Sequence, residues 1–132
     1  MFRWLGEDID KTPTGYFVPF RSPSWDALPK QDEALDFARH LWKPILDALR
    51  PKLILCIGID QAFSGASEMT GAVAGKSLPI GWGNYSARTA TSQSTMIVGL
   101  PHLSRFGIFG RDESVGALAA IKSALADFRE PQ

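Results

Sequence analysis

Two stretches of the chain are apolar without interruption: Leu53-Ile54-Leu55-Cys56-Ile57, and Met96-Ile97-Val98-Gly99-Leu100. A strand with one wet face alternates polar and apolar side chains, whereas a continuous apolar run reads as a strand covered on both faces of a parallel sheet. Elsewhere the apolar spacing is helical. Ala34, Phe37, Ala38, Leu41, Ile45 and Leu49 recur at the interval of one helix face, behind Asp32 as N-cap. Pro44 falls inside that pattern; it removes a ladder donor and clashes one turn back, costing about 3 kcal/mol in a straight interior, so a kink or two tandem helices are expected. Residues 60–70 form a helix candidate entered just after Gly58 closes the first strand, which makes strand, turn and helix half of a βαβ unit. Asp112 caps a last helix with Val115, Leu118, Ile121, Leu125 and Phe128 on one face.

The remaining segments are shorter or less regular. Residues 15–20, Gly-Tyr-Phe-Val-Pro-Phe, are aromatic and β-branched and read as a strand ended by Pro19. The prolines and serines of residues 21–29 make a loop. Residues 71–94 are rich in Gly, Ser and Thr, with a turn at residues 79–83 and a short strand at about 85–90. Residues 1–14 are a lead-in anchored by Trp4 and Leu5. Strands that alternate with helices imply an α/β fold whose mainly parallel central sheet is covered by helices on both faces.

Composition narrows the classes. A chain of 132 residues, 45% apolar and 21% charged, is one domain spanning residues 1–132. Lys plus Arg number 14 and Asp plus Glu number 14, so no global field draws a polyanion, and nucleic acid would need a local basic cluster. The single Cys56 has no intrachain partner, which excludes a disulfide framework. With no signal peptide and no membrane span in the sequence, a cytoplasmic location without membrane contact is the expectation. Two histidines and one cysteine are too few and too scattered for zinc, and no metal or cofactor is implied. No Gly-x-Ser-x-Gly elbow, Walker motif or dinucleotide glycine pattern occurs.

Ligands of open parallel sheets bind beyond the carboxyl ends of the strands, where the departing loops converge. Three loops qualify: residues 20–25, 58–61 and 101–111. The third concentrates His102, Ser104, Arg105, Phe106 and Phe109 after a buried strand. His102 could donate to developing negative charge or shuttle a proton, and Ser104 and Arg105 could hold a phosphate oxygen. The alternative is a loop histidine bonded to a backbone carbonyl. In the first loop, Phe20, Arg21, Ser22, Ser24 and Trp25 could stack a ring and bind a phosphate, or could be a proline-rich connection whose aromatics cover the core. The turn from Gly58 through Gln61 could present backbone donors and a helix N-terminus to an anion. His40, beside Arg39 on a helix, reads as a solvated residue, and Trp42 and Trp82 as core.

In order and spacing, three segments resemble landmarks of the uracil-DNA glycosylase superfamily. They are Phe17-Val18-Pro19-Phe20-Arg21-Ser22-Pro23; Arg50-Pro51 with the strand to Gly58 and Ala62; and Leu100-Pro101-His102-Leu103-Ser104-Arg105-Phe106. The last carries the family's His-x-Ser motif. The resemblance runs from about residue 14 to the end and implies a three-layer α/β domain that flips a nucleotide into a pocket and breaks its glycosidic bond. By that resemblance His102 would stabilise the departing base anion. Ser104 would grip a phosphate, Leu103 and Arg105 would fill the gap in the duplex, and Phe20 would wall the flipped base.

Two parts of the family pattern are missing. Its first motif, a Gly- and Pro-containing loop that positions the attacking water, has no counterpart after Met1, so the domain is expected to lack its first strand. Tyr16 or Phe17 stands where the base-reading Asn belongs, and neither offers an amide's paired donor and acceptor. The resemblance therefore implies a truncated or catalytically silent member that binds DNA or a nucleobase. Losing the first strand would expose a sheet edge, to be covered by a homodimer or by rearrangement of residues 1–14. Two other readings stay open: a non-enzymatic α/β interaction module, and a small nucleotide-binding protein that uses the Gly58 turn.

Overall fold

The computed structural model describes residues 2–6, 8–20, 22, 24–57, 59–80, 85–101, 109 and 112–129. They form an α/β unit around a four-stranded sheet with strands β1 (Leu53–Ile57), β2 (Val73–Pro79), β3 (Ser86–Thr91) and β4 (Met96–Leu100), ordered β1-β4-β3-β2. Helix α1 is Phe2–Leu5, α2 is Gln31–Leu49, α3 is Ser64–Thr70 and α4 is Val115–Arg129. A π-helical turn, Ile59–Phe63, leads into α3, and a 3-10 turn, Asp112–Ser114, leads into α4.

β4 is the keel of the core, with all five residues buried. Its side chains alternate between two clusters, as the two-residue period of a strand requires. Met96, Val98 and Leu100 join Ile121 and Leu125 of α4, with Trp4 and Leu5 of α1 packed beside them. Ile97 joins Cys56, Ala90, Phe63 and Ala66 on the opposite face. Gly99 completes that second face by having no side chain, since a Cβ there would lie 2.8 Å from the Phe63 ring.

The sheet is mixed, not mainly parallel. Only β1 and β4 run parallel; β3 pairs antiparallel with both β4 and β2. A parallel neighbour needs a crossover, and the helical crossover that leaves β1 leads to β2, with which β1 does not pair. The segment after α3 instead folds back on itself. β2 escapes a pattern reading because six of its seven residues are exposed and its register shifts between Ala74 and Ser77. The short strand expected near residues 85–90 is present as β3.

Residues 15–20 do not form a strand. The indole Nε1–H of Trp42 donates to the carbonyls of Phe17 at 2.9 Å and Tyr16 at 3.2 Å, so side-chain bonding holds this backbone in place of a ladder.

Helix α2 is unbroken through Pro44, whose exposed position leaves the carbonyl one turn back within reach of water. It begins at Gln31, with Lys30 left-handed before it and the acidic Asp32 and Glu33 in its first turn, where they suit the helix dipole. Its buried stripe is narrower than the apolar spacing suggested. Ala34 and Ala38 are buried and Ile45 half-buried, whereas Phe37, Leu41 and Leu49 are exposed. In α4, Val115 likewise faces out while Ile121 and Leu125 are buried. No helix among the described residues is long and apolar enough to cross a membrane.

Candidate functional site

A recess opens near the carboxyl end of β1, between α2 and α3, with a volume of about 270 Å³. Each wall has a local cause. The π turn after β1 carries Phe63 inward onto the sheet and leaves Gln61 half-buried at the cleft. Such one-turn π segments occur often at functional sites, because the widened turn re-aims a side chain. Ser64, Gly65 and Glu68 of α3 continue that wall.

The facing wall is the first half of α2, with the adjacent Gln31 and Asp32 followed by Leu35 and Arg39 about one and two turns further along. Gln31 is tied down, since its Nε2 donates to the Trp25 carbonyl at 2.9 Å. That same carbonyl accepts the Leu28 N–H at 3.0 Å, and the Ser24 hydroxyl oxygen accepts the Ala27 N–H at 3.2 Å. These bonds close a turn that sets Trp25 at the cleft rim. Phe17 forms the remaining wall, its ring laid on the bare Cα of Gly65.

Charge in the cleft is partly neutralised. One guanidinium nitrogen of Arg39 lies 3.3 Å from Glu68 and another 3.3 Å from Asp36. With the Arg39 and Glu68 side chains 41% and 65% exposed, the bridge between α2 and α3 is worth well under about 1 kcal/mol. The Nε of Arg39 is buried with no partner among the described residues. Gln61 makes no side-chain hydrogen bond among them either, so its amide is available to a ligand. Among the described residues no three His, Cys, Asp or Glu stand together as a metal site.

Of the residues singled out from sequence, Gln61 lines the cleft. Trp25 lines it as well, although the segment it belongs to follows no strand, and Gln61 stands in the π turn rather than in a loop. Phe20 stands outside the lining; its ring meets Phe37 of α2 at 5.2 Å, with both half exposed. Ser22 spends its hydroxyl on the Ser24 carbonyl at 2.8 Å and helps build the turn. Arg21, Gly58, His102, Leu103, Ser104 and Arg105 lie outside the described residues. Beside that segment, Pro101 is buried at the end of β4 and Phe109 meets Trp4 edge-on at 5.3 Å.

His40 is exposed, its Nδ1 2.7 Å from the Asp36 carbonyl. Sequence reasoning missed the helix-borne part of the cleft, Gln31, Asp32, Leu35, Arg39 and Glu68. The one available signal was a run of polar residues at the start of α2, which any solvated helix face also shows. Comparison of the chain with known protein families, characterised proteins and solved structures found no match.

Proposed function

We propose that this chain is a uracil-DNA glycosylase-like protein that takes a nucleobase, presented by DNA, into the cleft between α2 and α3. One observation carries the reading: two aromatic side chains, Phe17 and Trp25, share a recess with the uncommitted amide of Gln61 near the carboxyl end of a parallel strand. Aromatic walls stack any base, and an amide supplies the paired donor and acceptor that reads a base edge. Gln61 thus fills the role left open by the aromatic residues at positions 16 and 17.

Size is consistent with a single base, since about 270 Å³ falls just below the lower end of drug-sized pockets, roughly 300 Å³. The order of the three sequence landmarks supports the same assignment and with it a three-layer domain of that family. In this reading His102 donates to the base oxygen, Ser104 holds a phosphate, and Leu103 with Arg105 occupies the space the base vacates. Base release is then a second activity, dependent on His102, beyond binding itself.

Titration of the chain with uracil-containing single-stranded DNA, followed by tryptophan fluorescence, tests the reading. Gln61→Ala is expected to weaken binding by about tenfold, the loss of one good hydrogen bond. Phe20→Ala, outside the cleft, is expected to leave it within about twofold. No binding of free base, nucleoside or DNA by the unaltered chain would overturn the proposal. Binding that His102→Ala leaves intact while release of free base disappears would assign the chemistry to the third loop.

A further inference from the structure

The cleft does not share the charge balance of the chain. Basic and acidic residues number 14 each over the whole sequence, whereas the recess is lined by two carboxylates, Asp32 and Glu68, and one guanidinium, Arg39. That guanidinium is divided further, since Asp36, outside the lining, takes one of its nitrogens at 3.3 Å and Glu68 another at 3.3 Å. Asp32 has no side-chain partner among the described residues. Lys30 and Glu33, which flank Gln31 and Asp32 in the chain, stay out of the lining and offset each other. Lys43, one turn beyond Arg39, is held by Asp47 at 2.7 Å. The recess therefore has negative charge in excess, and a cleft with apolar walls concentrates the field of its charges on whatever enters.

Hydrogen bonding leans the same way. Gln31 spends its Nε2 on the Trp25 carbonyl and keeps Oε1 as a free acceptor, and a carboxylate can only accept. The cleft thus offers acceptors to a ligand rich in N–H donors.

Carboxylates alone do not make a site, but these share their recess with Phe17 and Trp25. The face of an aromatic ring is the negative side of its quadrupole, so a cation laid on it is attracted beyond ordinary stacking. Aromatic faces and carboxylates together call for a ligand that is flat and positively charged. A neutral base would gain only the stacking, and a phosphate would be repelled. On the reading of this cleft as a nucleobase site, we infer that its preferred occupant is a cationic nucleobase of the 7-alkylated guanine class. Alkylation at that ring nitrogen adds a full positive charge to a base whose pairing edge already carries adjacent N–H donors, the groups a carboxylate accepts. Asp32 and Glu68 then determine specificity by charge, while Phe17 and Trp25 supply the surface on which the ring lies.

The test is titration of the full chain, followed by tryptophan fluorescence in mildly acidic buffer, where the alkylated ring keeps its charge. Three ligands are compared: 7-methylguanosine, guanosine, and 7-methyl-7-deazaguanosine, which keeps the methyl group on a neutral ring. The charged nucleoside is expected to bind about tenfold more tightly than either neutral one. Asp32→Asn and Glu68→Gln, which remove charge at nearly constant shape, should each lower that preference about threefold while leaving guanosine within about twofold. Equal affinity for the three ligands overturns the inference and leaves the cleft a general base site. Equal affinity for the two methylated ligands overturns it as well, because the methyl group and not the charge would be what is read. A preference that survives both substitutions in one chain does the same, since the charge would then be sensed elsewhere. If no nucleoside and no DNA binds, the base-binding reading falls and this inference with it.

Discussion

The ring of Phe17 rests on Gly65 with no room for a methyl between them: a Cβ on Gly65 would lie 2.9 Å from Phe17 Cε2 and nearer still to Cζ. This contact closes one end of the cleft and joins the irregular residues before α2 to the helix that follows β1. It is also held from behind, because Trp42 bonds the Phe17 carbonyl at 2.9 Å and restricts how far the ring can retreat.

Gly65→Ala sets two effects of opposite sign against each other. In a helix free of contacts, alanine in place of glycine is stabilising by about 1 kcal/mol, whereas overpacking a tight contact costs about 1–3 kcal/mol. With Phe17 tethered, the steric effect should win, and the variant is expected to unfold at lower urea concentration. Adding Phe17→Leu should recover part of the loss, so a double-mutant cycle should show favourable coupling. A Gly65→Ala chain as stable as the original would mean that the ring moves aside freely.

Ser114 ties the start of α4 to the end of the β2 hairpin. Its hydroxyl, fully buried, donates to the Ile80 carbonyl at 2.6 Å, while the Ile80 N–H bonds the Tyr85 carbonyl at 3.1 Å. Ser114→Ala leaves that buried carbonyl without its donor, and an unsatisfied buried acceptor costs about 1–3 kcal/mol. Thermal or urea unfolding should register a loss of this size. A change below about 0.5 kcal/mol would show that the carbonyl gains another donor at no cost.

How far the sequence foretells this fold depends on what each residue's pattern can report. β4 was legible because all five residues are buried, and burial on both faces leaves an uninterrupted apolar run. β1 showed the same run, yet hydrophobicity speaks only for the two faces and not for the edge, so its outer position could not be read. β2 left no trace, since Gly75, Lys76 and Ser77 face solvent on an edge strand and need no alternation. Residues 15–20 misled for the converse reason: Phe17 is large and apolar in order to lie on Gly65, a contact 48 positions away that no local period encodes. In the cleft, Gln61 and Trp25 were legible as loop residues after or between elements. Arg39 and Glu68 were not, because spacing shows that a helix has faces without saying which face looks across at α3.

Cys56 offers the sharpest dependence on pH. Packed beside Phe63, Ala66, Ala90 and Ile97 and only 6% exposed, its thiol is pushed up from the ordinary 9.0 to about 12 by burial, which penalises the thiolate. Thiol reagents attack the thiolate, so near neutral pH the folded chain should label far more slowly than the chain in denaturant. The same shift acts on stability with a definite sign. Below pH 9.0 both states keep the proton and the thiol adds no slope; between 9.0 and about 12 the unfolded state releases it while the folded state retains it. Raising the pH through that window therefore favours unfolding, by at most about 1.4 kcal/mol per pH unit. The thiol's part is isolated by comparing the unaltered chain with Cys56→Ala, whose stability should fall less steeply above pH 9.0. Parallel curves for the two chains, or rapid labelling of the folded state, would show that the thiolate is solvated where it sits.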